Sequence, residues 1–285
     1  MINQERIDQY IKDGHLEVKI IADSVSESGK RLTTFQLKYP RFIHAEILTH
    51  RMFSRNSSSS RAVPVAKMIE QVRTNPTMPI HWGKNQSGMQ AKEELEGIDH
   101  SNAIAEWLNH SYQATCTASE MALHGAHKQI VNRILEPFQH MHTILTATEF
   151  DNFFELRIHE DAQPEIYALA LTMKQAMDAS DPVRLFAGEW HLPYISQEDY
   201  LAAKDHDDLC KISAARCCRV SYLKHDGTQP SIEDDLALFE RLVGSAPLHA
   251  SPLEHQATPE NKLNFLPRSN LHGWTQYRKI YEASL

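Results

Sequence analysis

One stretch of the sequence combines fixed positive charge with closely spaced hydroxyl groups. Arg51 and Arg61 enclose one asparagine and five serines, at Ser54, Asn56, Ser57, Ser58, Ser59 and Ser60. A guanidinium group can donate two parallel hydrogen bonds to a phosphate, and neighbouring hydroxyl and amide groups add further donors. The stretch therefore predicts a binding site for an anionic ligand, although serine-rich segments are also typical of solvated linkers.

The residues before this stretch predict how it is positioned. Residues 17–23 and 32–39 alternate in the manner of two strands, which we expect to form a hairpin. Pro40 then presets a backbone φ suited to a first helical turn, and apolar residues recur after it at helical spacing. We therefore expect a helix that begins at Pro40 and carries His50 and Arg51 near its C-terminal end, with the serine-rich stretch as the following loop.

A second stretch with chemically useful side chains is HTILTATEFDNFFELR, at residues 142–157. Its first part alternates as a strand, and the spacing of Thr148 and Asp151 predicts a capping box at the start of a helix. That helix would carry three phenylalanines and lead to Arg157. Between the two stretches, the polar residues 65–100 predict short helices and surface loops without a second core.

Composition excludes several classes of protein. The chain has 285 residues and a formal net charge of -8, which argues against a protein that coats bulk nucleic acid. No run approaches the roughly 18 apolar residues of a membrane span, so we expect a cytoplasmic protein that does not enter membranes. The four cysteines lack CxxC spacing, and we expect neither a disulfide framework nor a metal site.

Three motifs resemble those of one enzyme family, the flavin-dependent thymidylate synthases. The first is the spacing HRxxSxNxxSxR, which is formed by His50, Arg51, Ser54, Asn56, Ser59 and Arg61. The second is NFFxLR with a following acidic and Ala-Gln element, from Asn152 to Gln163. The third is NRILEP, in which Arg133 matches an arginine that contacts the substrate phosphate in the family.

The resemblance implies a reaction and its cofactors. It implies C5 methylation of a pyrimidine deoxynucleotide monophosphate, dUMP to dTMP, with FAD, NADPH, and methylenetetrahydrofolate as the one-carbon donor. It also implies a homo-oligomer, a tetramer, in which subunits share each site. The absence of a persuasive cysteine nucleophile fits such a flavin mechanism, because Cys217 and Cys218 adjoin a predicted strand without a recognisable base.

The resemblance also assigns roles to individual residues. The cofactor-binding residues are His50, Arg51, Ser54, Asn56, Thr148, Asn152, His249 and Ser251. The substrate-binding residues are Glu46, Ser58, Ser59, Ser60, Arg61, Arg133 and Arg157. Arg157 is the catalytic group as well, since the matching arginine promotes ionisation of the pyrimidine ring.

The C-terminal part resembles the opening of these synthases. The matching stretches are ISAARCCRVSY, residues 212–222, and HASPLEH, residues 249–255, so the chain is expected to be circularly permuted relative to the family. We expect an α/β (α+β) fold with a central mixed or antiparallel sheet and flanking helices. Residues 1–180 would form the flavin- and nucleotide-binding core, 181–211 a connection, and 212–285 a segment that packs on the same core.

Departures from the family pattern leave other functions open. Thr49 stands where the family has an arginine, and Ser57 stands where it has a glutamate. Glu46 replaces a glutamine, and its carboxylate could accept a hydrogen bond from the amino group of cytosine. The alternatives are therefore methylation or hydroxymethylation of another pyrimidine nucleotide such as dCMP, a noncatalytic nucleotide-binding paralogue, or a structural protein that binds no nucleotide.

Overall fold

The computed structural model describes residues 2–220, 230–244, 246–261 and 269–285. Ser221 and Tyr222, the last residues of the ISAARCCRVSY stretch, lie outside the described residues. The architecture is α/β, with a five-stranded mixed sheet flanked by helices and a separate pair of short strands near the C-terminus. The predicted fold class is confirmed.

The main sheet combines three strands from residues 17–57 with two strands from residues 140–185. Its strands are β1 (Glu17–Ser26), β2 (Arg31–Pro40), β3 (Ser54–Ser57), β4 (His140–Ala147) and β5 (Val183–Leu185). The order across the sheet is β3, β4, β2, β1, β5, and β5 runs parallel to β1 while the other neighbours are antiparallel. β1 and β2 form the predicted hairpin. Thr146 of β4 lies between Thr34 of β2 and Ser54 of β3.

β2 is the central strand of this sheet, and both of its faces are covered by other parts of the chain. Phe35, Leu37 and Tyr39 alternate on one face and belong to the largest hydrophobic cluster, together with residues of the helix Pro164–Asp178 such as Leu169 and Met173. Positions between them point to the other face, where Gln36 accepts a 2.6 Å hydrogen bond from the hydroxyl of Tyr194. The segment after β5 therefore covers the second face of the sheet.

The helices surround this sheet and build the C-terminal part. In chain order they are α1 (Gln4–Lys12), α2 (His44–Leu48), α3 (Val65–Thr74), α4 (Gly97–Leu123), α5 (Lys128–Val131), α6 (Asp151–Arg157), α7 (Pro164–Asp178), α8 (Gln197–Ala202), α9 (His206–Cys218), α10 (Ile232–Leu242) and α11 (Tyr277–Ser284). Short 3-10 turns cover Arg41–Ile43, Glu136–Phe138 and Ser251–Glu254. None of the helices in the described ranges combines the length and apolar character that a membrane crossing requires.

The C-terminal part has its own hydrophobic cluster, formed mainly by α9, α10 and α11. The buried carboxylate of Asp235 joins α10 to α9, because it accepts from Arg216 and Arg219 at 2.8 Å or less. The strands β6 (Ala257–Pro259) and β7 (Trp274–Gln276) pair antiparallel. Ala257 also exchanges backbone hydrogen bonds with His191, which fastens this part to the segment that covers the main sheet.

The predicted helix start at Pro40 is wrong. Pro40 is the last residue of β2, where it lies opposite His140, and the backbone N of Arg41 still donates to the carbonyl of Gln139. Sheet pairing therefore continues past the position that the sequence assigns to a helix. The helix α2 starts only at His44, after a 3-10 turn, and has five residues.

The serine-rich stretch is also not simply a loop. Ser54–Ser57 forms the edge strand β3, because its backbone groups pair with the otherwise open side of β4 from Thr146 to Thr143. Backbone pairing thus overrides the low β propensity of serine and asparagine. The loop itself is limited to the residues between β3 and α3.

Two further local predictions are corrected by the packing. A second core does exist near residues 65–100, since Met68 and Val72 of α3 pack with Ala118, Val131 and Leu135 in a separate hydrophobic cluster. Cys217 and Cys218 do not adjoin a strand, because they end the helix α9. In both places the apolar spacing in the sequence was too weak to indicate a buried helix. The packing partners in the fold show that a helix is there.

Candidate functional site

An open cavity of about 370 Å³ lies where the segment from α2 to β3 meets the C-terminal part of the chain. One wall is formed by His44, Leu48, Arg55, Asn56 and Ser57. The opposite wall is formed by Cys218, Val220, His249 and Ser251. The cavity therefore brings together three residues that the sequence predicts to bind a cofactor, although they are far apart in the chain: Asn56, His249 and Ser251.

Arg55 fixes the first wall of the cavity. Its Nη1 donates to the carbonyl oxygens of Ile47, Leu48 and His50, at 3.2, 3.0 and 3.3 Å. These carbonyls lie at or just beyond the C-terminal end of α2, which carries the negative partial charge of the helix, and those of Ile47 and His50 also accept from the backbone N of His50 and of Phe53. Burial lowers the pKa of Arg55, but an arginine keeps its charge at neutral pH. Positive charge is thus built into this wall.

Arg157, the last residue of α6, donates to three side chains beside the end of α2. Its Nη1 lies 2.8 Å from Oε2 of Glu46, its Nε lies 3.1 Å from Nε2 of His50, and its Nη2 lies 3.5 Å from Oγ1 of Thr49. The side chain of Arg157 is 15% exposed and that of Glu46 is 31% exposed. We call these four residues the Arg157 cluster. It unites the predicted catalytic arginine with predicted substrate- and cofactor-binding residues.

His50 is a neutral member of this cluster. Because Nε2 accepts a hydrogen bond from Arg157, the ring proton must lie on Nδ1. Burial is the largest cause that lowers the pKa of His50, and the charges of Arg157 and Arg55 lower it further. The ring also packs edge-on against Phe153 of α6, with 4.9 Å between centroids. His50 therefore orients the Arg157 guanidinium without adding charge.

Two of the serines are turned toward the fold and not toward the cavity. The Oγ of buried Ser54 accepts from Asn270 at 3.0 Å and from Gln276 at 3.3 Å. The Oγ of Ser58 accepts from the backbone N of His142 at 3.2 Å. Ser54 therefore fastens the edge strand to the C-terminal part, and Ser58 continues its attachment to β4.

A second polar group forms around Glu136, away from the residues that line the cavity. Oε1 of Glu136 lies 3.0 Å from Nη2 of Arg41, 2.9 Å from Nη1 of Arg133 and 3.3 Å from Oγ of Ser60. We call these residues the Glu136 cluster. It brings together Ser60 and Arg133, two predicted substrate-binding residues, with exposed Arg61 next in sequence to Ser60.

The remaining predicted residues lie at the surface or make local contacts. Arg51 and Asn152 are exposed. The Oγ of Ser59 accepts from the backbone N of Arg61 at 3.3 Å. Oγ1 of Thr148 accepts from the backbone N of His272 at 3.0 Å. Thr148 therefore does not form the predicted capping box, and the N-cap of α6 is a phenylalanine without a capping side chain.

A chain of neutral hydrogen bonds crosses the interior behind these residues. His191 bonds Ser24 through Nδ1 and Thr34 through Nε2, each at 2.8 Å. Thr34 bonds Thr146 at 2.7 Å, and Thr146 bonds Nδ1 of His255 at 2.8 Å. We call these five residues the histidine chain. All are buried, and Nε2 of His255 has no hydrogen-bond partner among the described residues.

Burial controls the protonation of this chain. It lowers the pKa of His191 to about 3, and it lowers the pKa of His255 to about 3 with a smaller contribution from His191. Both rings are therefore neutral near pH 7. The histidine chain links β1, β2 and β4 to the HASPLEH stretch, which carries His249 and Ser251 into the cavity wall.

Several residues of the cavity and clusters were not singled out from the sequence. Arg55 had a signal, since it is a cation inside the serine-rich stretch. Arg41 had none, and Thr49 and Cys218 were noted only as a departure from the family pattern and as a cysteine without a base, because only the folded chain shows what they contact. Burial raises the pKa of the Cys218 thiol to about 12, so it lines the cavity as a neutral group. No group of three or more potential metal ligands occurs within the described part of the chain.

Comparison with solved structures finds similar folds at low sequence identity. The UMP/dUMP methylase PolB from Streptomyces cacaoi bound with 5-Br dUMP has a TM-score of 0.47 and 16% identity, over 57% of this chain and 89% of that chain. The flavin-dependent thymidylate synthase ThyX from Helicobacter pylori, complexed with FAD and dUMP, has a TM-score of 0.36 and 18% identity, over 51% of this chain and 67% of that chain. No curated protein sequence matches the chain.

The sequence model of one family gives the stronger result. That family is described as thymidylate synthase complementing protein, and its model matches residues 3–183. The match includes the serine-rich stretch and the NFFxLR stretch, and ends before HASPLEH. Because it covers more than half of the sequence, this chain belongs to the thymidylate synthase complementing protein family.

Proposed function

We propose that this protein is a flavin-dependent enzyme that methylates C5 of a pyrimidine nucleotide monophosphate, converting dUMP to dTMP. Methylenetetrahydrofolate would donate the one-carbon unit, and NADPH would reduce the flavin. Family membership supports nucleotide methylation. The single observation that carries the assignment is the cavity, in which Asn56 from one motif faces His249 and Ser251 from the displaced C-terminal motif.

The side chains around the cavity suit the phosphate-bearing part of FAD. The amide of Asn56 and the hydroxyls of Ser57 and Ser251 can donate to phosphate oxygens, and Arg55 supplies the neutralising charge. A volume of about 370 Å³ lies near the lower end of ligand pockets, so the cavity would hold part of a dinucleotide. When bound, FAD supplies the hydride chemistry that this set of side chains lacks.

Arg157 would act on the pyrimidine ring. Glu46 and His50 hold two edges of its guanidinium, while the 3.5 Å contact from Nη2 to Thr49 is long enough to yield to a better acceptor. A ring oxygen that gains negative charge during the reaction would be such an acceptor. Because the guanidinium is already oriented, little reorganisation is required when that charge develops.

The Glu136 cluster and Arg61 would bind the nucleotide phosphate. Arg133 is 57% exposed and now pairs with Glu136, so an incoming phosphate would compete with that carboxylate for the guanidinium. Arg61 is exposed and forms no ion pair with a carboxylate of the described ranges. We expect Arg61→Ala to raise the nucleotide Kd by tens of fold, since a charge-assisted hydrogen bond contributes roughly 1.5 to 3 kcal/mol.

The proposal extends to the assembly and its parts. We propose a homo-oligomer, most simply a tetramer, that binds free nucleotide and neither bulk nucleic acid nor membranes. Residues 1–180 would form the flavin- and nucleotide-binding core, and residues 212–285 would complete it after the connection at 181–211. The hydrogen bonds of Ser54 with Asn270 and Gln276 support this organisation, since they join residues 1–180 to residues 212–285 beside the cavity.

One observation favours a second candidate, methylation or hydroxymethylation of dCMP. Oε2 of Glu46 bonds Arg157, and a carboxylate has capacity for further hydrogen bonds at its other oxygen. It could accept from the amino group of cytosine while Arg157 donates to the ring. With uracil the same carboxylate would accept from the ring N–H, so the two nucleotides must be compared directly.

The test combines a flavin spectrum with single-turnover transfer. Purified protein incubated with FAD should show the absorption and quenched fluorescence of bound flavin, and Asn56→Ala with Ser251→Ala should weaken that binding. Transfer from labelled methylenetetrahydrofolate should then be measured with dUMP and dCMP in parallel. Protein that binds nucleotide but neither flavin nor folate would be a noncatalytic paralogue, and protein that binds none of them would contradict the proposal.

A further inference from the structure

Two side chains of the cavity wall, His44 and Ser57, are joined to each other through the interior. Nδ1 of His44 bonds the hydroxyl of Tyr39 at 2.9 Å, and that hydroxyl bonds Oγ1 of Thr143 at 2.8 Å. Oγ1 of Thr143 in turn bonds Oγ of Ser57 at 2.9 Å. Tyr39 and Thr143 are buried. We call these four residues the Tyr39 relay.

The main sheet positions the interior part of the relay. Thr143 of β4 lies between Leu37 of β2 and Ser57 of β3 in the strand register. Tyr39 is two residues beyond Leu37, so its side chain points to the same face of the sheet. His44 begins α2, directly after the 3-10 turn that follows β2. The relay therefore exists only in the folded chain, where three strands and one helix meet.

The protonation of His44 limits what it can offer a ligand. Its pKa is lowered to about 4, mainly by burial and further by the charges of Arg41 and Arg55. The ring is therefore neutral near pH 7 and carries one proton, on either nitrogen. Since a buried hydroxyl holds Nδ1, Nε2 is the nitrogen left for the cavity, and it bonds no residue of the described ranges.

The number of protons limits the directions of the relay bonds. Each bond requires one proton between its two atoms, and each hydroxyl carries one. The hydroxyls of Tyr39 and Thr143 make no hydrogen bond outside the relay with the described part of the chain. An unused proton on a buried hydroxyl costs free energy, so both hydroxyls must donate within the relay.

Two arrangements satisfy these conditions. In the first, Ser57 donates to Thr143, which donates to Tyr39. Tyr39 then donates to Nδ1 of His44, whose proton lies on Nε2 and can be donated to the cavity. In the second, every bond is reversed: Nδ1 of His44 carries the proton and donates to Tyr39, and Nε2 becomes an acceptor. The hydrogen-bonding roles of His44 and Ser57 toward the cavity are thus coupled.

A phosphate contact of Ser57 selects the second arrangement, because a hydroxyl that donates to a phosphate cannot also donate to Thr143. We propose that His44 is a binding residue of the cavity, whose Nε2 accepts a hydrogen bond from a sugar hydroxyl of the ligand, and that Tyr39 and Thr143 are its positioning residues. The ligand class is a sugar phosphate, which both FAD and a nucleotide monophosphate contain. This inference rests on the proposed function, in which Ser57 contacts phosphate.

The tautomer of His44 tests the proposal directly. Proton–nitrogen NMR correlation spectra of protein with isotope-labelled histidine rings distinguish the two tautomers, and the signals that disappear in His44→Asn belong to His44. Wild type should carry the proton on Nδ1 when it is saturated with FAD or with dUMP. A proton on Nε2 in the presence of each ligand would overturn the proposal.

Ser57→Ala tests the coupling without any ligand. Loss of the Ser57 hydroxyl leaves the Thr143 proton without an acceptor in the second arrangement, whereas the first arrangement still uses both buried protons. The His44 proton should therefore lie on Nε2 in this variant, and a proton on Nδ1 would contradict the relay.

The matched control is Ser251→Ala, which removes a hydroxyl from the cavity wall but not from the relay. It should keep the tautomer of ligand-free wild type. If the tautomer changed in this control as it does in Ser57→Ala, the relay would not be the cause.

Ligand affinity measures the contribution of Nε2. In His44→Asn the side-chain amide lies near the position of Nδ1 and can still bond Tyr39, but no atom replaces Nε2. The Kd of FAD or of dUMP should rise about three- to tenfold, as for one lost neutral hydrogen bond, while the urea midpoint of unfolding stays constant. The ligand whose Kd rises is the source of the sugar hydroxyl.

The outcomes separate this inference from the proposed function. If His44→Asn bound both ligands within twofold of wild type, the role of His44 would be overturned, and flavin and nucleotide binding would stand. Wild type that bound neither FAD nor dUMP would overturn both proposals. The tautomer of Ser57→Ala is measured without ligand, so it tests the relay in either case.

Discussion

The Arg157 cluster and the histidine chain both join residues from distant parts of the sequence, yet they are built from different groups. The Arg157 cluster contains a fixed ion pair, and its members Arg157 and Glu46 are 15% and 31% exposed. The histidine chain has no formal charge, and its two rings are 1% and 0% exposed, at His191 and His255. Of these two groups, the charged one is partly exposed to water and the neutral one crosses the core.

This difference follows from the cost of desolvation. Removing a charged group from water costs far more than removing a neutral hydroxyl or imidazole that finds a hydrogen-bond partner. The fold can therefore use the histidine chain to attach the HASPLEH stretch with little penalty, provided that every bond is made. The same fold leaves the charged pair of Arg157 and Glu46 partly exposed. Substitutions in the two groups should consequently affect different quantities.

The largest expected effect is on stability, from Thr146→Val. The change removes the hydroxyl that bonds both Thr34 and His255, and it leaves Nδ1 of His255 buried without a partner. We expect the free energy of unfolding to fall by about 2 to 4 kcal/mol, from about 1 to 3 kcal/mol for the unpaired Nδ1 and about 1 kcal/mol for the bond lost by Thr34, which keeps its bond to His191. Urea unfolding measures it.

The matched control for Thr146→Val is Thr172→Val in α7, whose hydroxyl bonds a carbonyl of its own helix at 2.8 Å. That variant should lose less than about 1 kcal/mol. Equal losses in the two variants would show that the histidine chain contributes nothing special to stability.

The next largest effect should be on the reaction, from Arg157→Lys. Lysine keeps the charge but loses the planar fork that contacts Glu46, His50 and a developing charge together. Under the proposed function, single-turnover transfer should fall about a hundredfold, equivalent to about 2.7 kcal/mol, while the nucleotide Kd stays within about tenfold. If Arg157→Lys transferred the one-carbon unit at the wild-type rate, the proposed role of Arg157 would be refuted. The urea midpoint of unfolding of this variant should hardly change.

A slightly smaller effect should come from acid. The folded pKa of His191 and of His255 is about 3, well below the unfolded value of about 6.5. Above pH 6.5 both states are neutral; as the pH falls from 6.5 toward 3, only the unfolded state gains protons, so stability is lost throughout that window. The pair should lower the free energy of unfolding by about 2.5 kcal/mol between pH 7 and 5.5.

Urea unfolding at half-unit pH steps checks this expectation. His44, whose pKa burial lowers to about 4, and His140, whose pKa burial lowers to about 3, add to the slope in the same direction. A stability that is constant from pH 7 to 5 would show that the two rings of the histidine chain are not held neutral.

The smallest expected effect is from Glu46→Gln. The amide oxygen still accepts from Arg157, and the pair is partly exposed, so the free energy of unfolding should change by less than about 1 kcal/mol. The ratio of transfer to dCMP over dUMP should fall, because the amide NH2 can donate to a uracil carbonyl but not to the cytosine amino group, whereas a carboxylate can only accept. An unchanged ratio would remove Glu46 from the determinants of specificity.

The spacing of apolar residues was sufficient to predict secondary structure where an element has one buried and one less buried face. The hairpin of β1 and β2 was predicted because alternation reports burial directly. Pro40 and the serine-rich stretch were assigned wrongly, since pairing with β4 determines their backbone and β4 begins 100 residues after Pro40, at His140. Local propensity cannot register a partner so distant in sequence.

The site was predictable to a similar extent. Motif spacing identified Asn56, His249 and Ser251, which the cavity brings together, and Arg157 with Glu46 and His50, which form a cluster. It did not distinguish serines that line the cavity from serines that hold the fold. Ser57 and Ser54 belong to one short strand, yet Ser57 lines the cavity and Ser54 bonds the C-terminal part.

The bonds of Ser54 have a consequence for synthesis of the protein. Its partners Asn270 and Gln276 lie 216 and 222 residues later in the chain. At roughly 5 to 20 residues per second, translation needs on the order of ten seconds between β5, which completes the main sheet, and Gln276. During that interval a nascent chain can form the sheet but has one wall of the cavity. Ligand binding is thus expected only once the residues up to Gln276 have emerged from the ribosome, and a chain terminated before Asn270 would lack both bonds to Ser54.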